Sequence, residues 1–264
     1  MEVNKNSYTI RFAAVMVIIV AALLSSAAIG FKPYQSRNIE LEKKQNILQS
    51  IGIDVTREEA ESNYSTYIKE ELVVNYLGVI MDGSAFDVEL SKEVKKDVPV
   101  QSFPLYIAVD KDNQTKYIIP LRGTGLWGPI WGFISLNDDL NTVSAAVFDH
   151  KSETPGLGAE INGDKFEKQF SNTEVNTKKI MKDGKFVSIT VKKGKSSGDY
   201  EVDGVSGGTI TSDGVTAMID ERLSKYLPYF KSISNEMQVK SVLEVVILDE
   251  KSDTTSNINK RIID

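Results

Sequence analysis

The longest apolar run in the chain is Phe12–Phe31, "FAAVMVIIVAALLSSAAIGF", 20 residues without a charge. As a helix rising about 1.5 Å per residue it would cover about 30 Å, the hydrocarbon thickness of a bilayer. Arg11 precedes it and Lys32-Pro33 follows, with Phe12, Phe31 and Tyr34 near the boundaries where interfacial aromatics collect. The competing reading is a cleaved signal peptide, with Lys5 and Arg11 as its basic start and "SSAAIG" as its small residues. The apolar run exceeds the usual core of about 7–15 residues, so the pattern predicts an uncleaved anchor.

Beyond Pro33, Ile39, Ile47, Leu48 and Ile51 share a helical face and Gly52 supplies a stop, which predicts a short amphipathic helix above the membrane. Thr56-Arg57-Glu58-Glu59 fits a capping box, and Ala60, Tyr64, Tyr67, Ile68 and Leu72 continue it at helical spacing. From about Phe103 the period changes. The runs "FPLYIAV", "TKYIIPL", "IWGFISL" and "TVSAAVF" are short and β-rich, and "DKDNQ" and "NDDLN" suit hairpin connections. "KFVSITVK", Lys185 to Lys192, adds a strand after a "KDG" turn. Ser212 then caps a helix that buries Val215, Met218, Ile219, Leu223 and Tyr226 until Pro228 interrupts it. The tail from about Asp249 is polar and reads as frayed. There is no internal repeat. The expected fold class is α+β, an antiparallel sheet with flanking helices preceded by a single N-terminal transmembrane helix. The expected segments are 1–11, the span 12–31, a helical membrane-proximal region 32–99, a domain 100–235 and a C-terminal tail 236–264.

Composition narrows the chemistry. With 41% hydrophobic residues the chain can bury a real core, and a net charge of -6 argues against a nucleic-acid partner, which demands a basic face. There is no cysteine and one histidine, His150, which removes thiol nucleophiles, disulfides and any His/Cys zinc site. The chemistry must use oxygen groups or a bound cofactor, and no residue is assigned as catalytic or as a metal ligand. Basic residues fall on both sides of the span, Lys5 and Arg11 before it and Lys32, Arg37, Lys43 and Lys44 after it, so charge leaves the orientation open.

The stretch Val202–Val215, "VDGVSGGTITSDGV", contains Gly204-Val205-Ser206-Gly207-Gly208 and so satisfies the G-x-S-x-G pattern of a nucleophile elbow. The preceding "SSGDYEVD" is mostly polar where an elbow needs a buried strand, and no histidine follows the serine as the chain order of that fold requires. Two glycines before a helix start suit a phosphate instead, because unpaired N–H groups and the positive dipole end face outwards there. Ser206, Thr209, Thr211 and Ser212 add four hydroxyls that can bond a phosphate or be esterified by one; the plain alternative is a glycine-rich turn with a helix cap. A second cluster, "LRGTGLWGPIW", places Trp127 and Trp131 among glycines, as a wall for a ring system or as core. A third, "HKSETPGLGAEI", combines rigid and flexible backbone at Glu153–Gly158, suited to close approach of a planar ligand. His150 and Glu153 form a formal metal pair, but without further ligands nearby they read as structural or hydrogen-bonding residues.

"IIPLRGTGLWG", "HKSETPGLGAEI" and "VDGVSGGTITSDGV", in this order behind one span, resemble the C subunit of the Na+-translocating NADH:quinone reductases of bacterial membranes. The resemblance covers the anchor and roughly residues 103 to 226. It implies FMN held covalently by a phosphoester at the threonine of a D-x-x-S-G-A-T run, which is Thr209 here. Asp203, Ser206 and Gly207 fit that flavinylation motif, and Gly208 stands where alanine is usual. The resemblance implies partners in the other subunits of a membrane redox complex and an FAD:protein FMN transferase acting with Mg2+. It places the domain on the periplasmic side of the inner membrane, residues 1–11 in the cytoplasm, and gives the flavin the role of electron relay. Candidate ring contacts are Trp127, Thr154, Leu157 and Gly158. Two alternatives stay open: the G subunit of an Rnf-type electron-transfer complex, which shares the flavinylated domain, and a membrane-anchored domain binding FMN noncovalently as a sensor.

Overall fold

The computed structural model describes residues 6–171 and 177–235. Its first element is one helix, α1 (Asn6–Gln49), 44 residues long and apolar enough over its first half to cross a membrane. The expected break after the span is absent, because α1 continues through Pro33 into the amphipathic stretch. Pro33 lacks the N–H that would bond the Ile29 carbonyl, and at the edge of a span water can satisfy that one acceptor while the ladder resumes beyond it. The far end of α1 docks by burying Lys44, Ile47 and Leu48, and Gly52 at φ +76 ends it.

Glu59 reaches back to Thr56 as the capping box predicts, accepting the Thr56 N–H at 3.1 Å and its hydroxyl at 2.9 Å. The helix that follows, α2 (Ala60–Tyr67), is shorter than the spacing suggested. From Ile68 the chain is a strand, β1 (Ile68–Val74), which pairs with β2 (Ile80–Met81) and with β3 (Phe103–Val109). The reading of 32–99 as wholly helical is therefore corrected, and the sheet starts well before residue 100. "IKEELVV" has no clean alternation, so burial by the neighbouring strand decided what periodicity could not.

The remaining long strands are β4 (Thr115–Thr124), β5 (Pro129–Leu136) and β6 (Thr142–His150), with the short β7 (Lys178–Lys179) at the edge. The order is β2-β1-β3-β4-β5-β6-β7, antiparallel at every pairing. Both predicted turns form: Asp110 Oδ1 accepts the N–H groups of Asp112 and Gln114, and Asp139 Oδ1 accepts those of Asn141 and Thr142. The expected strand Lys185–Lys192 is split. Its start, β9 (Lys185–Phe186), forms a hairpin with β8 (Met181–Lys182) across Asp183-Gly184, both at positive φ; its end, β10 (Thr190–Lys192), pairs parallel with β11 (Glu201–Asp203). Ser188 at φ +61 makes the break.

The sheet is covered on both faces, which explains why its strands read as nearly continuous apolar runs. Two short helices lie in the connections before β3 and after β6, α3 (Leu90–Glu93) and α4 (Asp164–Glu167), and the long helix α5 (209–235) packs Val215, Met218, Ile219, Leu223, Tyr226 and Phe230 on one face, against Leu105, Ile119, Leu121, Ile130 and Ile134. Ile47, Leu48 and Ile51 of the α1 end cover the other, against Tyr106, Ile118, Phe133 and Val147. Two sequence expectations about α5 are corrected. It starts at Thr209, three residues before Ser212, and it runs on through Pro228. Tyr226, Tyr229 and Phe230 are all buried around that proline, and their packing outweighs the loss of one backbone bond.

Candidate functional site

At the N-terminus of α5 three loops meet around a small pocket of about 200 Å³. The Leu126-Trp127 loop joins β4 to β5, the loop from Glu153 to Gly158 follows β6, and Gly207–Thr211 form the entry to α5. Every residue expected to contact a ring, Trp127, Thr154, Leu157 and Gly158, lines this pocket together with Gly207, Gly208 and Thr209. Asp203 and Ser206 do not. They line a separate cavity of about 460 Å³ on the other side of the loop, with Gly156, Glu160 and Gln169.

The helix entry has a definite geometry. The Gly208 carbonyl accepts the Ser212 N–H at 2.9 Å, so Gly208 is the cap and Thr209 the first helical residue. The N–H groups of Thr209, Ile210 and Thr211 then lack partners four residues back and present the positive end of a long helix. Gly207 has φ +72, and a Cβ there would lie 2.5 Å from Leu157 Cδ2, so the turn needs glycine both for its backbone and for the close approach of the Leu157 loop.

The four hydroxyls separate cleanly. Thr211 is buried and donates to Glu153 Oε2 at 2.6 Å. Ser212 is buried and accepts the Val205 N–H at 3.1 Å, holding the loop back onto the helix. Ser206 is exposed towards the 460 Å³ cavity. Thr209 is exposed at the 200 Å³ pocket, and its hydroxyl has no hydrogen-bond partner among the described residues.

Glu153 ties the three loops together. Only 5% exposed, it accepts the Trp127 N–H at 2.7 Å through Oε1 and the Thr211 hydroxyl at 2.6 Å through Oε2. Burial pushes its carboxyl up, but these hydrogen bonds outweigh burial and hold it below its usual range. The surrounding glycines make room: a Cβ at Gly125 would stand 2.7 Å from Oε1, and one at Gly158 would stand 2.5 Å from Thr211 Oγ1. His150 is also explained, since its Nδ1 accepts the Glu153 N–H at 3.3 Å. The sequence marked the pair as hydrogen-bonding, but the central position of Glu153 could be read only from its carboxylate's reach across the sheet end.

Around the mouth stand four large apolar side chains that face solvent: Leu126 50%, Trp127 65%, Leu157 42% and Ile210 57% exposed. A pocket this small cannot enclose a drug-sized ligand, which takes about 300–1,000 Å³. The arrangement suits a molecule with a phosphate end seated at the helix start and a planar apolar ring lying across the rim. Trp131 lies elsewhere, under the Arg122 guanidinium 5.5 Å from the ring centre, on the opposite sheet face. Asp203 is held by the turn behind: its carboxylate accepts the Ser196 N–H at 2.5 Å, which lowers its pKa, and Gln169 clamps its backbone with bonds of 2.6 Å and 3.1 Å.

Comparison with known proteins adds four matches. Residues 125–224 match the model of the FMN-binding domain. The chain is 30% identical over 221 residues to the C subunit of the Na(+)-translocating NADH-quinone reductase of Vibrio alginolyticus, covering 77% of this chain and 84% of that one. It is 29% identical to the same subunit of Haemophilus ducreyi, over 80% and 88%. The crystal structure of the corresponding protein from Parabacteroides distasonis superposes with a TM-score of 0.68 at 42% identity, covering 75% of this chain and 96% of that one.

Proposed function

The chain belongs to the family of C subunits of the Na(+)-translocating NADH-quinone reductases, and from that premise we propose that it carries FMN covalently, as a phosphoester of Thr209, and relays electrons within the complex. The observation that carries the choice of Thr209 is the division of labour among the hydroxyls. Thr211 and Thr209 both line the pocket, but the Thr211 hydroxyl is occupied by Glu153; Ser212 is occupied by Val205, Ser206 faces away, and the Thr209 hydroxyl is unpartnered among the described residues.

The residues present fit the group. The free N–H groups of the first turn of α5 would hold the phosphate, and the helix dipole would favour its negative charge. Trp127, Leu157, Leu126 and Ile210 offer the ring an apolar rest while leaving it open on one side. Bound there, FMN supplies the electron-accepting and electron-donating chemistry. Attachment would need an FAD:protein FMN transferase with Mg2+, for which Thr209 would supply the acceptor hydroxyl: its O–P bond to the flavin-side phosphorus would replace the pyrophosphate P–O bond, with AMP as the leaving group. Asp203 and Ser206, which line the other cavity, are the motif residues that enzyme would read. Glu153 holds the three loops in register and so fixes the distance between the ring rest and the phosphate seat. Gly208 in place of alanine leaves attachment intact, because its Cβ would meet Val205 at 3.1 Å and Gly158 at 3.2 Å and the smaller residue only adds room.

The helix α1 anchors the domain in the inner membrane with the flavin on the periplasmic side, where a phosphoester prevents loss of the cofactor, and residues 1–11 lie in the cytoplasm. Denaturing electrophoresis under ultraviolet light, with intact-protein mass, tests the attachment in cells that also make the transferase. A fluorescent band carrying the mass of FMN less water is expected for the wild type and none for Thr209→Val. A dark wild-type band, or a flavin that survives Thr209→Val and is lost only in Ser206→Ala, sinks the assignment.

A further inference from the structure

On the sheet face away from α5, a groove of about 540 Å³ runs between the upper part of α1 and strands β3 to β5. Phe86, Pro120, Trp131 and Phe133 give it apolar walls, and two cations reach into it, Lys43 and Arg122. Lys43 donates to the Phe86 carbonyl and sits 4.2 Å from the centre of that ring. Burial lowers its pKa, with Glu71 and Asp87 acting against the loss at a distance. Arg122 is half-buried over Trp131 and makes no hydrogen bond or ion pair among the described residues. Burial lowers its pKa too, with no carboxylate opposing it.

A second cavity of about 700 Å³ adjoins the groove, sharing Ser91 and Arg122 and adding Lys95. Lys95, which is exposed to solvent, also has no ion pair among the described residues. The acids of the two linings are mostly committed: Glu89 pairs with Lys92 at 2.8 Å and Glu221 with the buried Arg222 at 2.7 Å, which leaves Glu42. Three cations against one acid therefore stand without ion pairs here, on a chain whose net charge is -6. Lys43 and Arg122, partly desolvated against apolar walls, are costly in isolation, and a carboxylate arriving with apolar neighbours relieves that cost while gaining a charge-assisted bond to a planar guanidinium.

Height along α1 decides the class of occupant. The stalk residues of the groove, Ile39 to Asn46, lie 8 to 15 residues beyond Phe31. That is about 12–22 Å along the helix, and still about 9 Å for the lowest at a tilt of about 40°. The polar layer outside the hydrocarbon is only about 5–8 Å thick on each side, so lipid headgroups stay below the groove. We propose that this groove is a docking site for another protein of the membrane complex, filled by a segment that sets an Asp or Glu carboxylate against Arg122 and apolar side chains against Trp131 and Phe133. The proposal rests on the chain working as one subunit among several, and not on how FMN is attached.

The chain has no cysteine, so Ser91→Cys places a single thiol at the rim shared by the two cavities. Labelling it with benzophenone maleimide in the assembled, membrane-embedded complex, followed by irradiation and peptide mass spectrometry, identifies what lies there. A cross-link to an Asp- or Glu-containing peptide of a different subunit is expected, reduced about tenfold when Arg122→Glu is added. Adducts on lipid, on a second copy of this chain, on its own residues 236–264, or no adduct at all, overturn the proposal. As an independent measure, Arg122→Glu lowers the amount of the protein retained by the complex through a high-salt wash about tenfold, whereas Arg122→Lys retains most of it. Equal retention of all three proteins overturns it as well. Thermal melting of each purified variant separates loss of docking from loss of fold, and the flavin band on a denaturing gel reports the Thr209 assignment separately.

Discussion

The pocket at the start of α5 and the groove under α1 lie on opposite faces of one sheet and are built on opposite rules. In the pocket the buried polar groups have partners: Glu153 takes the Trp127 N–H and the Thr211 hydroxyl, and Ser212 takes the Val205 N–H. In the groove Arg122 has only the Trp131 ring. A satisfied network fixes a geometry in advance, which is what a small ligand of defined shape requires. An uncompensated cation on apolar walls gains only when a second molecule brings the missing charge. The two cavities thus differ in whether the fold or a partner completes them.

The sharpest way to break this contrast is to unpin the pocket. Glu153→Ala leaves the Trp127 N–H and the buried Thr211 hydroxyl without an acceptor, and should cost about 3 kcal/mol in denaturant unfolding of the flavin-free protein while lowering flavin incorporation. The same carboxylate predicts a pH dependence. Its folded pKa is depressed, so its contribution is full above the ordinary value of 4.5 and is lost as the pH falls below it. Unfolding curves of wild type and Glu153→Ala should therefore converge towards acid. Next in size is Gly158→Ala, whose methyl collides with the Glu153–Thr211 bond; about 2 kcal/mol is expected, with a fall in flavin content. Gly208→Ala meets Val205 and Gly158 at 3.1–3.2 Å, contacts that yield by a few tenths of an ångström. It should change stability by less than about 1.5 kcal/mol and leave flavinylation unchanged by intact mass. The smallest effect belongs to the groove. Arg122→Met should alter the unfolding free energy of the isolated protein by no more than about 0.5 kcal/mol, since no bond is lost and the side chain keeps its apolar length. A loss there as large as that of Glu153→Ala would show that the fold itself depends on Arg122, and the contrast would fail.

Much of the site is legible in the chain itself. Trp127, Thr154, Leu157, Gly158 and Thr209 come from three separated stretches, named from sequence as candidates to hold one flavin, and the fold brings all five to the same pocket. What the sequence could not give was direction. Asp203 and Ser206 belong to the same short run as Thr209 yet face the other side of the loop, because Gly207 at φ +72 turns the backbone between them. Helix limits failed for a related reason. Local rules stop a helix at Pro33 or Pro228 and start one at Ser212, whereas packing of Tyr226 and Phe230 carries α5 past its proline, and the Ser212 hydroxyl is spent on Val205. The strand β1 was hidden because "IKEELVV" satisfies neither period until β3 lies beside it.

The continuity of α1 has a mechanical consequence. From Phe31 to Gln49 the helix rises about 27 Å, so the domain stands on a stiff mast in place of a loose tether. A tether would let the domain sample a cloud of positions set by chain entropy. A mast converts small tilts of the membrane segment into sideways travel of its head, about 5 Å for every 10° at the height of Gln49. The weakest rung of that mast is at Pro33, where the Ile29 carbonyl lacks its donor, just where the helix leaves the apolar run. Reach for this domain is a matter of leverage, with the pivot at the membrane surface.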